Sequence, residues 1–240
     1  MQNIEAIILA GGRGERLLPE TLDRPKAMAR IGDRPLLAYL FDWLLRFGIH
    51  RMVISCGPLW EVIRDHFGGG SSLGVEIAYA VEPEPLGRGG GMKLAMGTLK
   101  GASSPALVLN GDTICNADLR GMMQRHKELG TTATVLLVPY VSVSGIVEVS
   151  DEGLIQAFRE KPELPYWVNG GAYLVEPGIR DLLPDKGDHE ATTFPALAQA
   201  GRLGAFPTRC YWRPVDTAKD LGEARKELAA GLPELAKPGS

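Results

Sequence analysis

Through the first half of the chain, short continuous apolar runs alternate with stretches whose apolar residues recur at helical spacing. Glu5–Ala10 (EAIILA), Met52–Cys56 and Ala106–Asn110 (ALVLN) are runs of the kind that strands covered on both faces require. Val75–Val81 alternates and reads as a further strand. Pro35–Phe47 (PLLAYLFDWLLRF) has helical spacing instead, with Pro at its start and Gly48 past its end. Pro58–Phe67 reads as a helix stopped by Gly68, Gly69 and Gly70, and Gly91–Leu99 as another. This β-α-β-α-β order predicts a right-handed, mostly parallel sheet. After Asp112 the rhythm changes. A helix over Ala117–Leu129 precedes four closely spaced strands, at Ala133–Pro139, Ile146–Val149, Leu154–Phe158 and Gly170–Val175. Helices near Phe194–Ala200 and Thr217–Ala229 follow. The pattern predicts a single domain over residues 1–230, a mixed sheet, a change of character near residue 112, and a flexible tail over 231–240.

Composition narrows the class. With 240 residues, 45% hydrophobic and 23% charged, the chain has the make-up of a soluble globular protein. Its 30 glycines and 17 prolines are scattered without a repeat, which excludes fibrous and disordered classes. The apolar runs stay well short of the roughly 18–20 residues a membrane span needs. Residues 1–12 enter an apolar strand without a basic leader, so a cytoplasmic protein is expected. A net charge of −3 argues against a general nucleic-acid binder. Cys56, Cys115 and Cys210 lack zinc-type spacing and are expected as reduced, mostly buried thiols. The four histidines include no i, i+4 pair that would suggest a metal site.

The stretch after the first strand carries the chemistry. LAGGRGERLLPETLDRP (9–25), followed by Lys26, places Gly11, Gly12 and Gly14 where backbone N–H groups can approach a phosphate. A dinucleotide fingerprint needs glycine where Leu17 stands, and no P-loop string occurs. What remains is a glycine-rich loop with Arg13, Arg16 and Lys26, three cations that suit a triphosphate; the alternative is a solvated basic loop. Asp112 follows a buried strand and so projects where open α/β sheets bind ligands. Together with Asp216 it could hold Mg²⁺, which prefers oxygen ligands completed by substrate phosphates. The alternative for Asp216 is an N-cap for the helix that follows it.

The string LAGGRGERLLPETLDRPKAM closely resembles the signature of the sugar-1-phosphate nucleotidyltransferases. Further landmarks stand in family order: EPEPLGRGGG, NGD, EKP, NGG and WRPVDTAKDL, so the resemblance covers about residues 4–225. Glu15 and Ala27 depart from the pattern without removing a phosphate-binding charge. The resemblance implies a Rossmann-like three-layer α/β/α nucleotidyltransferase fold with a mostly parallel mixed sheet. It makes residues 1–112 the nucleotide-binding half and 113–230 the sugar-phosphate half. It implies that Leu9, Ala10, Gly11, Gly12, Arg13, Gly14, Arg16, Lys26, Glu82, Pro85, Gly87 and Gly111 bind the nucleotide. Catalysis falls to Arg16, Lys26 and Asp112, and Mg²⁺ to Asp112 and Asp216. Asn110, Gly145, Glu160, Lys161, Asn169 and Gly170 are implied for the sugar phosphate.

The expected reaction is Mg²⁺-dependent transfer of a nucleotidyl group from an NTP to a sugar 1-phosphate, giving an NDP-sugar and pyrophosphate. A carboxylate at Glu82 can accept from N1–H and N2–H₂ of guanine, or from N4–H₂ of cytosine, with guanine favoured by its two parallel donors. EPLG and NGDT resemble guanylyltransferases acting on mannose- or manno-heptose-1-phosphate, whereas residues 190–221 resemble cytidylyltransferases, and the 82–91 region is also close to uridylyltransferases. The competing class is a non-catalytic regulatory paralogue that binds an NDP-sugar. Arg16, Lys26 and Asp112, which such a protein is expected to lose, are all present. A homo-oligomer is favoured by the resemblance, and Arg88 receives no role from it.

Overall fold

In the computed structural model, residues 4–12, 14–101 and 103–231 are described, Ala230 by its backbone only. The expected 231–240 tail, apart from Gly231, lies outside them. In chain order the first half comprises β1 (Ala6–Ala10), a two-residue ladder β2 (Arg30–Ile31) and β3 (Arg34–Pro35), α1 (Leu36–Arg46), β4 (Arg51–Cys56), α2 (Trp60–Phe67), β5 (Glu76–Val81), α3 (Gly87–Met96) and β6 (Ala106–Asn110). The second half adds β7 (Thr113–Cys115), α4 (Leu119–Leu129), β8 (Ala133–Val141), β9 (Ile146–Val149), β10 (Ile155–Arg159), β11 (Glu163–Val175), α5 (Thr193–Gln199), β12 (Leu203–Pro207), β13 (Trp212–Pro214) and α6 (Ala218–Glu227).

Seven strands form the central sheet in the order β12-β8-β11-β6-β1-β4-β5. β1 pairs in parallel with β4 and β6, β4 with β5, and β8 with β12. β11 runs antiparallel between β6 and β8. The mixed, mostly parallel sheet expected from the apolar runs is thus present. Successive residues of β1 feed opposite faces, as strand pleating requires. Ile8 packs with α1, α2, α4 and α6, through side chains such as Leu40, Phe67, Met122 and Leu221. Ile7 packs with α3 and α5, through Met92, Met96, Phe194 and Leu197. The result is three layers, α/β/α. α1 shows why its sequence chooses a helix. Leu36, Leu37, Leu40, Phe41 and Leu44 are all buried on one stripe, and burial of such side chains contributes about 1.5–3 kcal/mol each.

Several elements differ from the sequence pattern. α3 begins at Gly87, four residues before the expected Gly91. β11 extends back to Glu163, so it runs on from the central sheet toward the β9–β10 hairpin. β12 and the short β7–β13 ribbon have no counterpart among the predicted elements. LGAFP is too short and too rich in Gly and Pro to show a period, and three-residue strands show none.

Candidate active site

The carboxyl ends of β1, β4, β5 and β6 open on one cleft, as expected for ligand sites in open α/β sheets. After β1 the chain turns through Gly11, Gly12 and Gly14. Gly14 has φ +69, and a Cβ there would stand 3.0 Å from Lys26 Cβ and Thr21 Cγ2. Glycine therefore lets the loop fold back on Lys26. Thr21 Oγ1 and Leu17 N both donate to Gly14 O, at 2.8 Å, and Leu17 is fully buried beneath the loop. Arg13 lies outside the described residues.

Asp112 and Asp216 meet through a piece of backbone that periodicity does not reveal. β7 starts one residue after Asp112, and β13 ends two residues before Asp216. The two pair antiparallel with Pro214 opposite Thr113, and Val215 N donates to Asp112 O at 2.9 Å. The ribbon sets both carboxylates at the same end. Lys26 Nζ lies between them, 2.6 Å from Asp112 Oδ2 and 2.5 Å from Asp216 Oδ1. Arg16 Nη2 adds a bond of 3.1 Å to the same Asp216 oxygen. Burial alone would raise the Asp216 pKa, but the Lys26 hydrogen bond and the charges of Lys26, Arg16 and Arg88 outweigh it and lower the pKa. Asp216 does not cap α6. Thr217 does, accepting from Asp220 N while Asp220 accepts from Thr217 N. The ribbon also brings Cys115 and Cys210 together as free thiols, their sulfurs 3.6 Å apart.

Two cavities meet at this point, sharing Gly12, Arg88, Asn110 and Asp112. The smaller, of about 390 Å³, is lined by Leu9, Gly11, Ser55, Glu82, Pro85, Gly87 and Gly91 among others. Its Glu82 is held rigidly: Ser55 Oγ donates to Oε1 at 3.2 Å and Leu86 N to Oε2 at 2.9 Å. A Cβ on Gly11 or Gly91 would come within 2.6 or 2.7 Å of Oε1, so both glycines exist to admit this carboxylate. The larger, of about 700 Å³, is lined by Gly14, Arg16, Lys26, Asp216, Asn169, Gly170, Gly171, Glu190 and Trp212. Trp212 Nε1 donates to Gly170 O at 2.9 Å and fixes that wall.

Of the nucleotide set expected from sequence, Leu9, Gly11, Gly12, Glu82, Pro85 and Gly87 line the smaller cavity, while Gly14, Arg16 and Lys26 line the larger. Ala10 and Gly111 line neither; Gly111 donates its N–H to Leu9 O and packs against it. Of the sugar-phosphate set, Asn110, Asn169 and Gly170 line the larger cavity. Gly145, Glu160 and Lys161 cluster beside the β9–β10 hairpin and line neither cavity. A Cβ at Gly145 would meet the Phe158 ring at 2.9 Å and Glu160 Oε2 at 3.1 Å. Ser55, Arg88, Glu190 and Trp212 belong to the cleft without having been singled out as site residues from the sequence. Arg88 stood out only as a charge inside a glycine run.

A three-layer sheet whose carboxyl ends carry a cationic glycine loop and two facing aspartates defines a nucleotide-handling α/β protein. The family model for nucleotidyl transferases matches residues 5–231, and the chain belongs to that family. The mannose-1-phosphate guanylyltransferase of Mycobacterium tuberculosis is 32% identical over 95% of this chain and 66% of its own length. The mannose-1-phosphate guanyltransferase of Saccharomyces cerevisiae is 33% identical over 91% of this chain and 63% of its own. The chain thus spans just under two thirds of these relatives. HddC from Yersinia pseudotuberculosis, crystallised in complex with GMP-PN, matches with a TM-score of 0.74 at 26% identity, covering 94% of this chain and 99% of that one.

Proposed function

We propose that the chain transfers a guanylyl group from GTP to mannose 1-phosphate or manno-heptose 1-phosphate, giving a GDP-sugar and pyrophosphate. The observation that carries this reading is the convergence of Asp112 and Asp216 on Lys26 where the two cavities join. The names of the two guanylyltransferase relatives and the nucleotide analogue bound by HddC support the choice of base. In the smaller cavity, Glu82 keeps acceptor capacity beyond its bonds to Ser55 and Leu86, which suits the paired donors of guanine.

The donor set fits Mg²⁺. Two carboxylate oxygens within reach of one ammonium match the oxygen-rich, partly filled shell this ion takes. Among the described residues no group of three or more His, Cys, Asp or Glu could hold a metal, so phosphate oxygens and water would complete the shell. The ion, when bound, supplies charge neutralisation on the phosphates. A sugar phosphate monoester is largely a dianion at neutral pH, so no base need remove a proton. Its oxygen forms the new bond to the α-phosphorus while the bond from that phosphorus to the bridging oxygen breaks and pyrophosphate leaves. Lys26 and Arg16 stabilise charge on the reacting phosphates, and the Gly11–Gly12 backbone lets them approach closely. The glycosyl acceptor sits against Asn110, Asn169 and Gly170, with Gly145, Glu160 and Lys161 approaching from the hairpin side.

The test is pyrophosphate release with Mg²⁺, crossing GTP, CTP, UTP, dTTP and ATP with mannose-, glucose- and manno-heptose-1-phosphates. Turnover with GTP and one manno-configured acceptor is the expected result. Turnover with CTP instead would overturn the Glu82 argument, and silence across the matrix with retained nucleotide binding would favour a regulatory protein.

A further inference from the structure

Arg88 stands on the first turn of α3 and lines both cavities. Its guanidinium spans the cleft. Nε donates to Asp188 Oδ2 at 2.9 Å, and Nη2 reaches both Asp188 Oδ2 and Glu190 Oε2, the latter at 2.8 Å. The other Glu190 oxygen accepts from Asn169 Nδ2 at 2.9 Å and from the Tyr173 hydroxyl at 2.7 Å. Asn169 Oδ1 accepts in turn from Gly171 N at 2.9 Å. One chain of hydrogen bonds therefore links the Gly87–Arg88 side of the smaller cavity to the Asn169–Gly171 wall of the larger.

The segment that carries both carboxylates is docked on the opening of α3. Gly89 N donates to Gly187 O, and Gly187 N to Leu86 O, both at 2.8 Å. A Cβ at Gly89 would meet Pro184 Cγ at 2.8 Å, and one at Gly90 would collide with the Asp185 carbonyl. The glycine run of the EPEPLGRGGG landmark is thus the seat of this acidic segment. Arginine suits the bridge because its planar fork serves two carboxylates at once, which a lysine ammonium does poorly. Nη1 makes no hydrogen bond among the described residues, so part of the fork remains available at the junction of the cavities.

We propose that Arg88 is a positioning residue that couples the two half-sites: Asp188 and Glu190 hold its guanidinium across the cleft, and through Glu190 it orients Asn169 for the acceptor. The proposal rests on the reading of the cleft as the place where an NTP and a sugar 1-phosphate meet. Asp188 lines neither cavity. Besides holding Arg88 through Oδ2, its Oδ1 accepts from Glu190 N at 2.9 Å, a bond that an asparagine Oδ1 can still accept, so Asp188→Asn reads the Arg88 contact. That makes a double-mutant cycle decisive.

Initial rates are measured for wild type, Arg88→Met, Asp188→Asn, the double variant and Arg88→Lys, with melting temperature as the check on folding. Arg88→Met is expected to raise KM for both substrates tenfold or more while kcat falls less than threefold, the split of lost ground-state placement. Asp188→Asn is expected to raise both KM values three- to tenfold, and to add less than twofold on top of Arg88→Met. Arg88→Lys should recover only part of the loss. Unchanged KM values in Arg88→Met, a change for the nucleotide alone, or effects that multiply in the double variant would each overturn the coupling. Silence of the folded wild type across all substrate pairs defeats the functional reading instead. The same variants are then compared by calorimetry with GTP alone and mannose 1-phosphate alone; equal affinities in wild type and Arg88→Met overturn the proposal there too.

Discussion

One ammonium, that of Lys26, answers two carboxylates, and its side chain is 12% exposed. Removing it therefore does two things at once. Lys26→Met leaves Asp112 and Asp216 facing each other without the cation and takes away the hydrogen bond that lowers the Asp216 pKa, so that pKa rises. Steady-state turnover should fall about 100-fold or more, on the scale of a lost charge-stabilising donor. Asp112→Ala should cost at least as much while leaving the melting temperature near that of wild type; Mg²⁺-dependent turnover at the normal rate would remove Asp112 from the site. Two histidines make a separate pH prediction. His126 bonds Thr134 and Glu176, and His189 is buried between the rings of Tyr173 and Phe194. Burial lowers both pKa values below 6.5. The unfolded chain then binds protons that the folded chain refuses. Stability is full above pH 6.5 and falls as pH drops through it, by at most about 1.4 kcal/mol per pH unit per histidine. Urea midpoints between pH 5 and 8 measure the slope, and His189→Phe should flatten it.

At the scale of elements, α3 and α6 treat glycine in opposite ways. In α3, Gly90 faces the Asp185 carbonyl with no room for a methyl, so Gly90→Ala should destabilise by about 1–3 kcal/mol through overpacking. In α6, Gly222 has nothing within 4 Å of its missing Cβ. There Gly222→Ala should stabilise by about 0.5–1 kcal/mol, the helical cost of glycine relieved. Urea denaturation of the two variants checks both signs. The same contrast explains what the sequence made legible. α1 was readable because its apolar stripe and its Pro and Gly flanks agree with each other. The opening of α3 was not, because four glycines have poor helix propensity and only the packing of the 184–190 segment keeps them helical. The ribbon of β7 and β13 is too short to show a period. The NGD and WRPVDT motifs pointed to its two aspartates by resemblance, and the backbone that aligns them emerged only from the fold.

For the whole molecule, the parallel core strands were legible because burial on both faces leaves unbroken apolar runs. β12 was not, since an edge strand need not be apolar throughout. In the cleft, glycines, cations and NGD-type motifs marked many of the residues that line the two cavities, whereas the tie between Arg88 and Asp188 joins residues 100 positions apart. No local pattern records such a contact. Among the described residues no helix is long and apolar enough to cross a membrane. The lysine bridge has a further consequence, for the life of the protein between turnovers. Since Lys26 and Arg16 together already answer the aspartate pair, the folded state is expected to need no divalent ion. Chelation by EDTA should abolish turnover and leave the melting temperature within about 1 °C, whereas a fall of several degrees would show repulsion that Lys26 does not meet. On the proposed reading, Asp112 and Asp216 would hold an ion that comes with the nucleotide, and Lys26 would then be free to face the phosphates. On that reading the ion would come with the substrate, and the protein's persistence in a cell would not depend on its metal supply.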